Sequence, residues 1–245
     1  MEPINIFDFD GTLTTDTWPK CWVWIKKYGF DGEKRNEKLE KAIEQYRINH
    51  FGDPLDTFFG FFNDLLKSNN SILEYSEFME GEKYIKYNPG VIDFLVSSKI
   101  KKYIISGGFS DFLKKIKIGN YVNEIYGSKL IYNSFHQIVG FGESITNDKK
   151  IEALKDILIK NNKTHNNCQN VYYIGDGYSD EIAMEFVHNN GGKSVFVYNK
   201  EQNDVFSKYN NEIYNKLNAK GIIDFCCLAD YRKNSELYNI LQRNK

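Results

Sequence analysis

Ile4-Asn5-Ile6-Phe7-Asp8-Phe9-Asp10-Gly11 carries an apolar run of strand length that stops at two carboxylates and a glycine. That pattern predicts a short buried strand entering a turn. Later segments repeat it. Lys102-Tyr103-Ile104-Ile105-Ser106 leads into Gly107-Gly108, with a helix expected from Ser110. Val171-Tyr172-Tyr173-Ile174 leads into Gly175-Asp176-Gly177, with a helix expected from Asp180. Ser194-Val195-Phe196-Val197-Tyr198 precedes a helix running to about Leu217. Between these lie a helix over Val91 to Ser97 and an alternating stretch, Tyr126 to Val139, that predicts one or two strands or a hairpin. A further helix over Lys150 to Ile159 has Asn147 or Asp148 as its expected cap. Short apolar strands alternating with helices predict an α/β protein with a parallel sheet covered on both faces.

One stretch departs from this texture. From about residue 18 to 86 aromatics are dense (Trp18, Trp22, Trp24, Phe58, Phe61), and apolar positions recur at helical spacing, as in Leu39, Ile43 and Tyr46. Asp53-Pro54 predicts an N-cap followed by proline at the first helical position. A helical subdomain of roughly 70 residues is therefore expected, its aromatics forming its own core.

Composition excludes several classes of protein. The chain has 245 residues, enough for one sizeable core carrying an insertion. With 32 basic against 33 acidic residues, a nucleic-acid binder is not expected. No run approaches the roughly 18–20 apolar residues of a membrane span. The start passes from Met1-Glu2-Pro3 directly into Ile4, with neither basic nor apolar leader, so a cytoplasmic protein is expected. Cys21, Cys168, Cys226 and Cys227 form no CxxC, and His50, His136, His165 and His188 have no metal-ligand spacing, so reduced thiols and non-ligating histidines are expected.

The chemistry-bearing residues cluster at the strand ends, where α/β sheets bind their ligands. Asp8 and Asp10 repel one another there, and a hard divalent cation is the simplest offset. Ser106-Gly107-Gly108 offers a hydroxyl and amides to an anion at an expected helix start. Lys150 opens a helix, against the dipole. Asp176 and Asp180 add a second carboxylate pair. Each feature alone has a bland explanation as a turn or a cap. Together, in this order, they supply a nucleophile, a metal site and donors for phosphoryl oxygens.

Asp8-Phe9-Asp10-Gly11-Thr12-Leu13-Thr14, Ser106-Gly107, Lys150 and Gly175-Asp176-Gly177-Tyr178-Ser179-Asp180 resemble the four motifs of the haloacid dehalogenase (HAD) superfamily of phosphohydrolases. The insertion resembles the helical C1 cap of the phosphoserine-phosphatase-like branch. Lys150-Ile151-Glu152-Ala153-Leu154 is similar to that branch's Lys-x-Glu-x-Leu segment, which favours Lys150 over Lys149. The resemblance implies a Rossmann-like core domain over residues 1–16 and 87–245 and a cap domain over 17–86. It implies Asp8 as nucleophile and Asp10 as acid–base. Asp8, Asp10 (through its carbonyl), Asp176 and Asp180 would hold or support Mg²⁺, and Ser106, Gly107 and Lys150 would bind phosphate.

The expected function is Mg²⁺-dependent hydrolysis of a small-molecule phosphate monoester through an aspartyl-phosphate. Asp10 argues against the dehalogenases, which lack that acid, and against the ion pumps, which have threonine there. Alternatives left open are a phosphoserine-specific enzyme, a phosphocholine or phosphoethanolamine phosphatase, a phosphomutase and a non-catalytic relative. Asp16 and Arg47 are the candidate substrate contacts, with Arg35 as the other cap arginine. Ser179 replaces the family's usual asparagine before the last aspartate. The sequence carries no signal for oligomeric state.

Overall fold

The computed structural model describes residues 2–15, 35–50, 53–69, 72–199 and 204–242. Its centre is a six-stranded, wholly parallel sheet. The strands are β1 (Ile4–Phe7), β2 (Lys101–Phe109), β3 (Glu124–Ser128), β6 (Val171–Gly175), β7 (Lys193–Tyr198) and β8 (Phe225–Leu228). Their order is β3-β2-β1-β6-β7-β8. A separate antiparallel pair, β4 (Leu130–Tyr132) and β5 (Ile138–Phe141), interrupts the alternation between β3 and β6. Without that hairpin the order is that of a doubly wound sheet, in which the chain reverses direction across the sheet between β1 and β6. A crevice for ligands then opens at the carboxyl ends of these two strands.

Period-two alternation assigns the two faces. On one face Ile4, Ile6, Ile105, Tyr173 and Phe196 pack under α6 (Asn147–Lys160), α7 (Glu181–Asn189) and α8 (Asp204–Ala219). On the other, Phe7, Ile104, Ile174 and Val195 pack under α4 (Val91–Ser97) and α9 (Glu236–Gln242). Burial on both faces makes the strands near-continuous apolar runs. No helix among the described residues is long and apolar enough to cross a membrane.

The insertion contains α1 (Arg35–Asn49), α2 (Pro54–Ser68) and α3 (Tyr75–Met79). Asp53 caps α2 as expected, its Oδ1 accepting from the Leu55 amide at 2.8 Å with Pro54 at the first position. The apolar stripe of α2 does not form a core of its own. Phe58, Phe59 and Phe62 join Phe109 and Phe141 in one continuous cluster. Phe59 stacks on Phe109 at 5.2 Å, and Phe109 meets Phe141 at 4.7 Å. Asn63 reinforces this contact by donating to the Phe141 carbonyl at 2.9 Å and accepting from the Phe141 amide at 2.7 Å. Trp18, Trp22, Trp24 and Cys21 lie outside the described residues.

Two local expectations change. β2 does not end at Ser106 but runs through both glycines to Phe109, with a register shift against β3 between Ser106 and Phe109. Only the four-residue α5 (Ser110–Leu113) follows. Close approach explains the continuation: a Cβ on Gly127 of β3 would stand 2.6 Å from the Gly108 carbonyl oxygen. The cap residue of α6 is Thr146, with Asn147 and Asp148 already helical.

Candidate active site

β1 delivers Asp8 and β6 delivers Asp176 to the same edge of the sheet, because Phe7 pairs with Ile174 in parallel register. The Asp8 amide continues the ladder, donating to the Ile174 carbonyl at 2.9 Å. Gly11 then turns the chain with φ +75°, and a Cβ on it would stand 2.0 Å from Asp176 Oδ2. Only glycine allows the turn to rest against that carboxylate. Thr12 donates its hydroxyl to Asp176 Oδ1 at 3.3 Å.

Asp180 stands at the start of α7, fully buried. Its Oδ1 accepts from Lys150 at 2.7 Å and from the Tyr173 hydroxyl at 2.7 Å. Its Oδ2 accepts the amides of Asp176 and Gly177, each at 3.3 Å. Lys150, from the first turn of α6, is 2% exposed and also donates to Asp8 Oδ1 at 3.1 Å. The neighbouring Lys149 points elsewhere, partly exposed and paired with Glu143 at 2.7 Å.

Among the described residues, Asp8, Asp176 and Asp180 offer carboxylate oxygens that all lie within 4.8 Å of one another. The Asp10 carboxylate stands outside that set but close enough to raise the pKa of both Asp8 and Asp176. Burial is the largest cause of the Asp8 shift, to about 7. The Asp180 and Asp10 charges add to it, and Lys150 opposes it. Asp176 is pushed well above the carboxylate range by burial, then by Asp180 and Asp8, with Thr12 opposing. Lys150 stays charged, because Asp180 and Asp8 together outweigh its own burial.

One lysine cannot balance this many carboxylates. Hard oxygen donors in excess of local positive charge fit a hard divalent cation such as Mg²⁺. Asp180 has both oxygens engaged by four donors, which suits it to orienting Lys150. Asp8 and Asp176 retain more capacity as ligands.

Ser106 lies on the same edge, two positions beyond the Phe7–Ile104 pair. Its Oγ accepts the Gly108 amide at 2.9 Å inside the irregular end of β2. Ser128 steadies the adjacent Gly107 by donating to its carbonyl at 2.7 Å. Leu55, at the start of α2, roofs Gly107, since a Cβ there would meet Leu55 Cδ2 at 3.1 Å. Arg47 is exposed near the end of α1, and among the described residues no hydrogen bond or ion pair joins it to the acidic cluster. Asp16 lies outside the described residues, as does the Arg35 side chain. Phe58 is buried and Phe61 packs on Tyr46 and Phe62, so both serve as packing residues. The sequence reading missed Tyr173, whose inward position follows from strand alternation, and gave Thr12 no role.

A family model described as haloacid dehalogenase-like hydrolase matches residues 6–185. No curated protein matches the chain. A phosphoserine phosphatase solved as a phospho-aspartyl intermediate analogue superposes with a TM-score of 0.65 at 18% identity, covering 100% of this chain and 99% of that one. A substrate-bound phosphoserine phosphatase complex gives 0.64 at 17% identity, with 100% and 99% covered. A HAD family hydrolase from Salmonella enterica serovar Typhi gives 0.58 at 18% identity, with 85% of this chain and 67% of that one covered. At these identities the structural likeness is one of fold.

Proposed function

Because the chain belongs to the haloacid dehalogenase-like hydrolases, we propose that it is a phosphatase acting on a small-molecule phosphate monoester, with Asp8 as its nucleophile. One observation carries the reading. Carboxylates from two separate strands, Asp8 and Asp176, converge with the buried Lys150 in the crevice of a doubly wound sheet. Uncompensated buried charge is costly, so this much negative charge in one place calls for a cation to offset it.

In the proposed reaction Asp8 attacks phosphorus, and the bond from phosphorus to the ester oxygen breaks as the acyl-phosphate forms. Asp10, on the turn, gives its proton to the departing alcohol oxygen. It then takes a proton from the water that attacks the same phosphorus, and Asp8 is released with inorganic phosphate. Lys150 Nζ, the Ser106 hydroxyl and the Gly107 amide would donate to the non-bridging oxygens, where charge is greatest in the transition state. Asp8, the Asp10 carbonyl and Asp176 would hold Mg²⁺, with Asp180 supporting. When bound, the ion neutralises charge so that an anionic nucleophile can approach an anionic ester.

Residues 17–86 would form the specificity cap over a core of 1–16 and 87–245. Leu55 above Gly107 supports a role for this insertion in shaping the leaving-group side. Phosphoserine is the first substrate to test, given the full-length likeness to phosphoserine phosphatases in fold.

The decisive experiment measures p-nitrophenyl phosphate hydrolysis with Mg²⁺ and with chelator, for the natural protein and for Asp8→Asn. Activity that needs Mg²⁺ and disappears in Asp8→Asn is the expected result. An Asp8→Asn variant with undiminished turnover refutes the assignment. Phosphate release across a metabolite panel then identifies the substrate, whereas transfer to a sugar phosphate without release would mark a mutase.

A further inference from the structure

The turn that follows Asp8 leaves the sheet, bridging to Tyr87 at Thr14, and its buried carbonyls must find donors. Within the turn, only the amides of Leu13 and Thr14 bond locally, both to the Phe9 carbonyl. The Leu13 carbonyl accepts the Asn88 backbone amide at 3.0 Å, whereas those of Gly11, Thr12 and Thr14 are satisfied by side chains from distant parts of the chain. Asn199, just past β7, donates to the Gly11 carbonyl at 2.8 Å. Tyr231, just past β8, donates its hydroxyl to the Thr12 carbonyl at 3.1 Å. Asn88 donates to the same carbonyl at 2.8 Å and to that of Thr14 at 3.2 Å.

Asn199 and Tyr231 lie beyond residue 185, where the family match ends. Tyr231 is only 1% exposed, and its ring packs against Phe94 at 5.6 Å and Phe7 at 6.2 Å. Its amide donates to the Pro89 carbonyl at 2.7 Å, which anchors the backbone that carries the ring. A rigid phenol aimed at the turn therefore comes from the C-terminal part of the chain. The turn it holds carries Asp10 at one end and rests on Asp176 at Gly11.

We infer that Tyr231 and Asn199 are positioning residues for the acid–base step: by fixing the carbonyls of Gly11 and Thr12 they aim the Asp10 carboxyl at the leaving oxygen. The inference rests on the proposed phosphatase reading. Its physical content is that a small displacement of a proton donor costs rate only where the leaving group needs a proton. p-Nitrophenolate departs readily as an anion, whereas an alkanol must be protonated as its bond to phosphorus breaks. A residue that merely stabilises the fold would slow both esters alike.

The test compares kcat/KM, which reports the step in which the alcohol leaves, for p-nitrophenyl phosphate and for an alkyl phosphate. It uses the full chain in Mg²⁺, with Tyr231→Phe and, separately, Asn199→Ala. Tyr231→Phe keeps the ring and removes only the donor. The alkyl-to-aryl ratio of kcat/KM is expected to fall about tenfold in each variant, a fraction of the ~10²–10⁴ that general acid catalysis supplies. A ratio unchanged in both variants, with folding verified by circular dichroism, overturns the inference while leaving the phosphatase reading intact. If one variant fails to fold, the ratio in the other decides. A natural protein that hydrolyses neither ester refutes the phosphatase reading and the inference with it.

Discussion

Replacing Lys150 by alanine removes one ammonium from between two buried carboxylates, Asp8 at 3.1 Å and Asp180 at 2.7 Å. The kinetic cost follows from its proposed role as a phosphoryl donor. One preorganised donor is worth about 2.7–4 kcal/mol, so kcat/KM should fall by roughly 10²–10³. The cost to stability follows from the pair itself. Breaking a buried ion pair by deleting one partner costs about 3–5 kcal/mol, a fall in Tm of roughly 6–20 °C for a chain of this size. Protonation limits that cost, because Asp8 already has its pKa near 7 with the lysine in place and takes up a proton more readily without it.

The assay is p-nitrophenyl phosphate turnover in Mg²⁺ together with calorimetry, and Lys149→Ala is the internal control. Lys149 is partly exposed and holds a single surface pair with Glu143, whose attraction solvent screens. Its loss should leave kcat/KM within about twofold of the natural value. A Lys149→Ala variant that loses activity while Lys150→Ala keeps it would refute the assignment of the buried lysine.

The same crowding of carboxylates predicts a response to metal. Mg²⁺ at about 100 times its Kd stabilises by ~2.7 kcal/mol and should raise Tm by roughly 5–10 °C, an effect that Asp176→Asn should remove. Equal shifts in both proteins, measured by calorimetry, would place the ion elsewhere. Gly11→Ala should abolish Mg²⁺-dependent stabilisation and turnover, since the new methyl would stand 2.0 Å from Asp176 Oδ2 at φ +75°; an active variant would contradict that geometry. Asp224 supplies a test remote from the site. Burial alone would raise its pKa, but His188, Lys193 and the Ser194 amide hold it below the ordinary carboxylate value. A depressed folded-state pKa means that the contribution is complete above the unfolded-state value of about 3.9 and is lost as pH falls through the lower folded-state value. Urea midpoints measured from pH 6 downward should fall less steeply below pH ~4 in Asp224→Asn than in the natural protein. Parallel curves would refute this.

The sequence by itself determined what depends on neighbours a few residues apart. Strand ends at Asp8 and Asp176 follow from apolar runs halted by glycine turns. The start of α2 follows from Asp53-Pro54, and the covered faces of the sheet follow from alternation. Such patterns are local, so they survive without knowledge of the fold. The acid motifs were legible for the same reason, since each lies within one strand and turn. Tertiary structure alone decided which residues meet across the crevice. The dense aromatics around Phe58 were legible as helical, but the stack of Phe59 on Phe109 was not, because the partner comes from another element. Lys150 reaches an aspartate 142 positions away, and Tyr231 closes on Thr12 across 219. Neither pairing leaves a local mark. A phenol or an ammonium finds its acceptor only when parallel register and close packing bring strand ends together, and those depend on the whole sheet at once.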